Sequence, residues 1–324
     1  MKPAAGVAVA VVTAAAATTA SVLAIRRWKN APDPCLDGGG QPLALTGEPF
    51  KVETNDGAVL DGIVAGAPDS SASAGTVVLS HCWTGSRSVW VPVAVRLVEQ
   101  GCRVVLYDQR GHGASTLGTS TPSVARIGAD LAAVLEAVDA RDAVVAGHSM
   151  GGMAVQALAV DHPFVVAERV RSLVLVSTAA AQIVGWPLAG AGGLTLGNPF
   201  VERVLRGPAG PALLRTTVGR SPRHGHLVAT RDTFVATSPD VRLAFFRAIR
   251  AMDLRSGLAS VPVPVSVVNG SRDLLILPRR ARALAGAVPG ARLVEVPGAG
   301  HMLPFEEPDL VAGLILDAAR GGQP

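Results

Sequence analysis

The pentapeptide Gly147-His148-Ser149-Met150-Gly151, set between the apolar run Ala143-Val144-Val145-Ala146 and a helix-like stretch, constrains this chain more than any other segment. A Gly-x-Ser-x-Gly turn joining a strand to a helix forces its serine into a strained backbone conformation, with the hydroxyl projecting from the sheet edge. Small residues on both sides let strand and helix approach, so the glycines serve a steric purpose. A chain with 36 glycines also produces such a pattern by chance, as an ordinary turn. Neighbouring segments decide between the two readings.

Those segments come in a fixed order. His81-Cys82-Trp83-Thr84-Gly85 follows the apolar run Thr76-Val77-Val78-Leu79, and Tyr107-Asp108-Gln109-Arg110-Gly111-His112-Gly113 follows Arg103-Val104-Val105-Leu106. Asn269-Gly270-Ser271-Arg272-Asp273 closes the run Val265-Ser266-Val267-Val268, and Gly298-Ala299-Gly300-His301 comes after Arg292-Leu293-Val294-Glu295-Val296. Each polar cluster sits just past the C-terminal end of an expected strand, the edge of an open α/β sheet where ligand sites form. Residues 48–54 and 59–65 read as a hairpin turning at Asn55-Asp56-Gly57, and strand and helix segments then alternate through Thr178. That alternation predicts a mostly parallel, doubly wound sheet.

With these motifs in place, the chain resembles the α/β-hydrolase family over about residues 50–319, apart from a variable middle segment. The order Ser149, Asp273, His301 matches the order of nucleophile, acid and base in that family. The resemblance implies an α/β-hydrolase fold with a helical lid insertion. One departure is His81-Cys82-Trp83, where relatives usually carry His-Gly and then an apolar residue, so a Cβ stands where the family has none. An aspartate nucleophile would mark the epoxide hydrolases and haloalkane dehalogenases of the family; position 149 is a serine.

The chemistry of the residues agrees. A serine hydroxyl is a weak nucleophile until a base within hydrogen-bond reach takes its proton, and that base needs a third group to orient it. His301 serves as base for Ser149, with Asp273 fixing its tautomer. The backbone N–H groups of Met150 and Trp83 are expected to form the oxyanion hole. Among rival histidines, His148, His162, His81 and His112 read as structural, and His224 and His226 as a solvated loop. Asp253 is the runner-up acid, with a surface ion pair to a neighbouring arginine as its plainer reading, and Asp108 is expected to anchor its own loop, against Arg110. No metal-ligand spacing is present, Gly38-Gly39-Gly40 follows no strand, and the proposed chemistry needs no cofactor.

Residues 179–256 break the strand–helix rhythm and read as the lid. Its last part, residues 239–252, spaces Val241, Phe245, Ile249 and Met252 for one apolar helix face. Trp186, Leu188, Phe200 and Phe234 are candidates to line an apolar acyl pocket, or else pack within the lid.

The net charge of +4 comes mostly from scattered arginines, with lysine only at positions 2, 29 and 51, so no basic stripe points to nucleic acid. Three cysteines do not make a disulfide framework. Residues 4–25 form an uncharged, Ala-rich stretch that as a helix would span about 33 Å, enough to cross a bilayer core. Lys2 precedes it and Arg26, Arg27 and Lys29 follow, a bias that favours a retained anchor with the catalytic domain on the cytoplasmic side; secretion after cleavage is the alternative. Residues 26–46 read as a linker, and 47–324 as the catalytic domain. The expected activity is hydrolysis of small-molecule or lipid carboxylic esters through an acyl-enzyme. A cofactor-free perhydrolase, suggested by Trp83 and Met150, and a non-catalytic binding protein are the other readings.

Overall fold

In the computed structural model, residues 33, 35–36, 43–66, 74–181, 198–208, 210–220 and 223–321 are described. The expected anchor at 4–25 and the candidates Trp186 and Leu188 lie outside them. Among the described residues, no single helix is long and apolar enough to cross a membrane.

The strands are β1 (Glu48–Glu53), β2 (Val59–Gly66), β3 (Thr76–Ser80), β4 (Arg103–Tyr107), β5 (Ala143–His148), β6 (Val170–Val176), β7 (Val265–Gly270) and β8 (Arg292–Val296). They form one eight-stranded sheet in the order β1-β2-β4-β3-β5-β6-β7-β8. The expected hairpin β1–β2 is antiparallel, as is the β2–β4 pairing, and every pair from β4 to β8 is parallel. The helices are α1 (Val91–Glu99), α2 (Val124–Ala137), α3 (Met150–Asp161), α4 (Pro163–Arg169), α5 (Pro199–Arg206), α6 (His224–Ala236), α7 (Pro239–Ala251), α8 (Pro278–Ala287), α9 (Leu303–Glu306) and α10 (Pro308–Ala319).

Central strands are apolar throughout because both faces are covered. Val78, Val105, Val145 and Val267 point into one core with Leu131 and Leu135 of α2, Leu158 of α3 and Leu284 of α8. Their neighbours Val77, Val104, Val144 and Val268 point the other way, onto Val93 and Leu97 of α1 and Val311 and Ile315 of α10. The two-residue period of a strand thus supplies two cores from one sheet. A third cluster sets Val241, Phe245 and Ile249 of α7, together with Met252, on Met153, Ala154 and Ala157 of α3, which confirms the apolar face read from the sequence and seats α7 on α3.

Buried polar groups fix the loops at the C-terminal edge. Arg110 is fully buried; its Nε lies 2.5 Å from Asp130 of α2 and its Nη1 2.8 Å from Asp56 in the hairpin turn. Asp108 therefore does not pair with Arg110 as expected. It accepts instead from the Arg87 and Ala114 N–H groups, at 2.7 and 3.0 Å, because the guanidinium is already saturated by two other carboxylates. His81 Nε2 accepts the Gln109 N–H at 2.9 Å, His112 Nε2 accepts the Thr84 N–H at 3.2 Å, and His148 Nε2 donates to the His301 carbonyl at 2.7 Å. These histidines are structural, as read. His226 is not solvated as read: it lies in α6, is buried, stacks on Phe305 and bonds to Asp33 at 3.2 Å.

Replacing Arg110 with methionine should leave Asp130 buried without its cation and take the ion pair from Asp56, lowering unfolding free energy by about 3–5 kcal/mol. The exposed pair Arg255–Asp253 provides the control in urea titration, where Arg255→Met should leave the midpoint essentially unmoved; equal losses would contradict this account of Arg110. Burial pushes His81 down to about 4 and His112 to about 3, and holds His148 well below its ordinary value. Between about pH 4 and 6.5 the unfolded chain therefore binds more protons, so this contribution is full above pH 6.5 and is lost as pH falls. Glu306, whose carboxyl burial pushes up, acts in the opposite sense. Stability should fall by roughly 3 kcal/mol per pH unit near pH 5, set by an uptake of about two to three protons on unfolding. A flat profile between pH 7 and 5 would show that these imidazoles are not held neutral.

Candidate active site

Ser149 caps α3 from the end of β5 with φ 54° and ψ −114°, the strained turn that the glycine pattern requires. Its neighbours have no room for side chains. A Cβ on Gly147 would collide with the Gly151 carbonyl, one on Gly151 with the carbonyls of Ser80 and His81, and one on Gly152 with Thr178. The start of α3 therefore lies main chain against main chain on the end of β3. The turn is further held by the Ser149 N–H, which donates to the Val176 carbonyl at 2.9 Å, and by the Thr178 hydroxyl, which donates to the Ser149 carbonyl at 2.8 Å.

Asp273 follows β7 and His301 follows β8, and their loops are stitched together. Arg272 N–H donates to the Ala299 carbonyl and Ser271 N–H to Val296, both at 2.9 Å, and a Cβ on Gly270 would meet the Gly300 carbonyl. Across this seam His301 Nδ1 donates to Asp273 Oδ2 at 2.8 Å. The other carboxylate oxygen accepts the N–H groups of Leu275 and Ile276, each at 2.8 Å, so the acid is oriented as well as paired. Both side chains are buried. With Nδ1 protonated toward the carboxylate, the neutral imidazole leaves Nε2 as the basic nitrogen. His148, next to Ser149 in sequence, ties the His301 carbonyl to the serine turn, and the two imidazole rings lie 5.0 Å apart. Asp253, by contrast, forms its exposed pair with Arg255, the plainer of the two readings of its sequence.

On the other side of Ser149, the loop after β3 carries Cys82 and Trp83. The Cβ at position 82 is accommodated: the thiol is buried with Val89, Val218, Leu227, Met302 and Phe305, and that burial pushes it up to about 12. Among the described residues no acceptor takes the main-chain N–H of Trp83 or of Met150, the first residue of α3. Two main-chain donors are thus left without an acceptor among the described residues, one on the loop after β3 and one at the N-terminus of α3.

Of the pocket candidates, Phe200 is 73% exposed on α5 and does not line an enclosed site, since the buried face of that short helix is carried by Leu205. Phe234 packs within the lid against Trp83. Sequence reading missed Glu306, whose carboxylate gathers the N–H groups of Gly219, Gly300 and Met302 at 2.6, 2.9 and 3.1 Å, and Thr217, whose carbonyl accepts from His301 N–H at 2.9 Å. Both belong to contacts between the lid and the histidine loop that no local pattern encodes. Asp33, Cys35 and His226 bring ligand-type atoms within 4.8 Å of one another. Their bonds are already directed inward, with Cys35 N–H and His226 both on Asp33, and the group pins the preceding chain to α6.

Known proteins were compared with this chain. The carbamate hydrolase RutD of Caulobacter sp. (strain K31), so named provisionally, is 29% identical over 275 residues, covering 80% of this chain and 94% of that protein. The pimeloyl-[acyl-carrier protein] methyl ester esterase of Chromobacterium violaceum is 30% identical over 257 residues, 74% of this chain and 92% of that one. Among solved structures, the enol-lactonase of Burkholderia xenovorans LB400 superposes with a TM-score of 0.69 at 28% identity, covering 83% of this chain and 99% of that one. The model of the α/β-hydrolase family matches residues 77–314, so the chain belongs to that family and is a hydrolase.

Proposed function

We propose that the protein is a serine hydrolase that cleaves carboxylic esters with hydrophobic acyl groups, using Ser149, His301 and Asp273. The observation that carries this reading is the His301–Asp273 bond of 2.8 Å beside a serine held at φ 54°. In the first half-reaction Ser149 Oγ attacks the ester carbonyl carbon while His301 Nε2 takes the hydroxyl proton. The carbonyl oxygen becomes an oxyanion facing the N–H groups of Trp83 and Met150. Collapse breaks the bond to the alcohol, which leaves with the proton from His301, and the acyl group stays on Ser149. Water then repeats the sequence, giving its proton to His301, and releases the acid. Asp273 stays ionised throughout and stabilises the imidazolium.

The methyl ester esterase and the enol-lactonase act, by their names, on acyl–oxygen bonds, which supports the same choice here. The stretch 4–25, with Arg26, Arg27 and Lys29 behind it, supports tethering to a membrane with the catalytic domain on the cytoplasmic side, and lipid esters as the natural substrates. Carbamate cleavage is the nearest variation, since the same acyl chemistry serves it. A second reading, peroxide-dependent perhydrolysis, is favoured by 29% identity over 209 residues to the non-heme chloroperoxidase of Burkholderia pyrrocinia.

Fluorophosphonate should label the wild-type chain and not Ser149→Ala. With p-nitrophenyl esters of graded chain length, Ser149→Ala should reduce turnover to background, and Asp273→Asn should reduce kcat by about 10⁴ by stabilising the wrong His301 tautomer. An unlabelled wild type would sink the hydrolase mechanism. Halide oxidation with acetate and peroxide, exceeding ester turnover, would select the perhydrolase reading instead.

A further inference from the structure

The loop that offers the Trp83 N–H is held from above by the inserted helices. The Trp83 indole stacks on Phe246 of α7 with ring centroids 5.8 Å apart and meets Phe234 of α6 edge-on at 6.3 Å. Its Nε1–H donates to the main-chain carbonyl of Arg242 at 3.2 Å. Arg242 is itself a junction. Its buried guanidinium lies 4.6 Å over the Phe234 ring, donates through Nε to the Thr237 carbonyl at 2.9 Å, and pairs with Glu202 of α5. Two lid helices therefore touch the indole, and a third, α5, is tied to α7 through Arg242.

Below the indole, the loop main chain has little freedom. The Thr84 hydroxyl donates to the Trp83 carbonyl at 2.6 Å, Thr84 sits at φ 59°, and Gly85 N–H closes a turn on the Cys82 carbonyl at 3.0 Å. The amide and the side chain of Trp83 leave the same Cα, so a main-chain movement that turns the amide also carries the indole, which Phe246, Phe234 and the Arg242 carbonyl hold in place. Catalysis of acyl transfer depends on donors fixed in advance at the place where the oxyanion forms. We propose that Trp83 is a positioning residue through which the packed lid holds the oxyanion N–H in place, so that a seated lid and a competent oxyanion hole are one condition. This rests on the serine-hydrolase reading and goes beyond it, because it assigns a catalytic consequence to lid residues that touch no reacting atom.

The test compares the wild-type full chain with Trp83→Phe, Phe246→Leu and Phe246→Tyr. Trp83→Phe keeps a ring and loses the indole donor; Phe246→Leu loses the stack; Phe246→Tyr keeps it. Both Trp83→Phe and Phe246→Leu should lose about 5–20-fold in kcat with KM changed less than about twofold, a fraction of the 10²–10³ typical of deleting an oxyanion donor. Affinity for an aliphatic trifluoromethyl ketone, which binds the serine as a tetrahedral oxyanion, should weaken by the same factor as kcat/KM. Phe246→Tyr should retain wild-type values. A purely structural lid contact would instead lower Tm or raise KM while leaving ketone affinity unchanged, and that result overturns the proposal. So does wild-type kcat in both Trp83→Phe and Phe246→Leu. Should Trp83→Phe fail to fold, the Phe246 pair decides alone. A wild type that neither labels with fluorophosphonate nor binds the ketone removes the hydrolase reading and this proposal with it, whereas a labelled, active wild type with unmoved variants removes only the proposal.

Discussion

The site depends on one steric constraint: the main chain of α3 must begin in contact with the main chain of β3. Gly151 meets the Ser80 and His81 carbonyls with no space for a Cβ, and Gly147 and Gly151 face each other in the same way. A helix that starts this close to its sheet has to be entered through a sharp turn, and the residue at the turn, Ser149, takes a positive φ that costs of order 1–3 kcal/mol. The cost is offset by the surrounding core, where Met150, Met153 and Ala154 are fully buried. What the strain achieves is direction, because a relaxed strand-to-helix connection would bury the hydroxyl along the sheet.

Electrostatics around the turn follows from the same closeness. With no room for water, the imidazoles of His81, His112 and His148 are held neutral and used as directional hydrogen-bonding groups, each spanning two loops. Only His301 among the buried histidines of the strand ends is given a carboxylate, so the positive charge that catalysis generates has one favourable home. The acid and base loops are joined by main-chain bonds as well as by the His301–Asp273 pair, and Ser271 and Arg272 remain at the surface while Asp273 and His301 are buried.

Legibility in the sequence followed the range of the interactions. Strand ends were readable because each combines a local apolar run with a local turn, and the positions of Ser149, Asp273 and His301 came with them. The apolar face of α7 was readable from its own periodicity. Contacts made across the chain were not. Nothing near Arg110 shows that it is satisfied by Asp56 and Asp130, residues 54 positions before it and 20 after. His226 looked solvated because its partner, Asp33, is 193 residues away. Phe200 looked like a pocket residue because an aromatic in a lid suggests an apolar lining, whereas that helix fully buries only Leu205 and turns Phe200 to solvent.

Cys82 connects the departure from family pattern to the lid. Where relatives have glycine, the loop after β3 can be shaped by its own backbone. Here the Cys82 side chain extends into a cluster with Leu227 of α6, Val218 of the lid and Met302 and Phe305 beyond His301. Its carbonyl still accepts from Gly85 and from His81 Nδ1, the latter at 2.8 Å, so the turn keeps its form while gaining an apolar anchor. Cys82 and Trp83 thus leave the same loop in two directions, one toward the histidine loop and one toward α6 and α7. A loop held at both residues by lid side chains takes its geometry from the lid, so on the proposed mechanism the inserted helices would be part of the apparatus that stabilises charge.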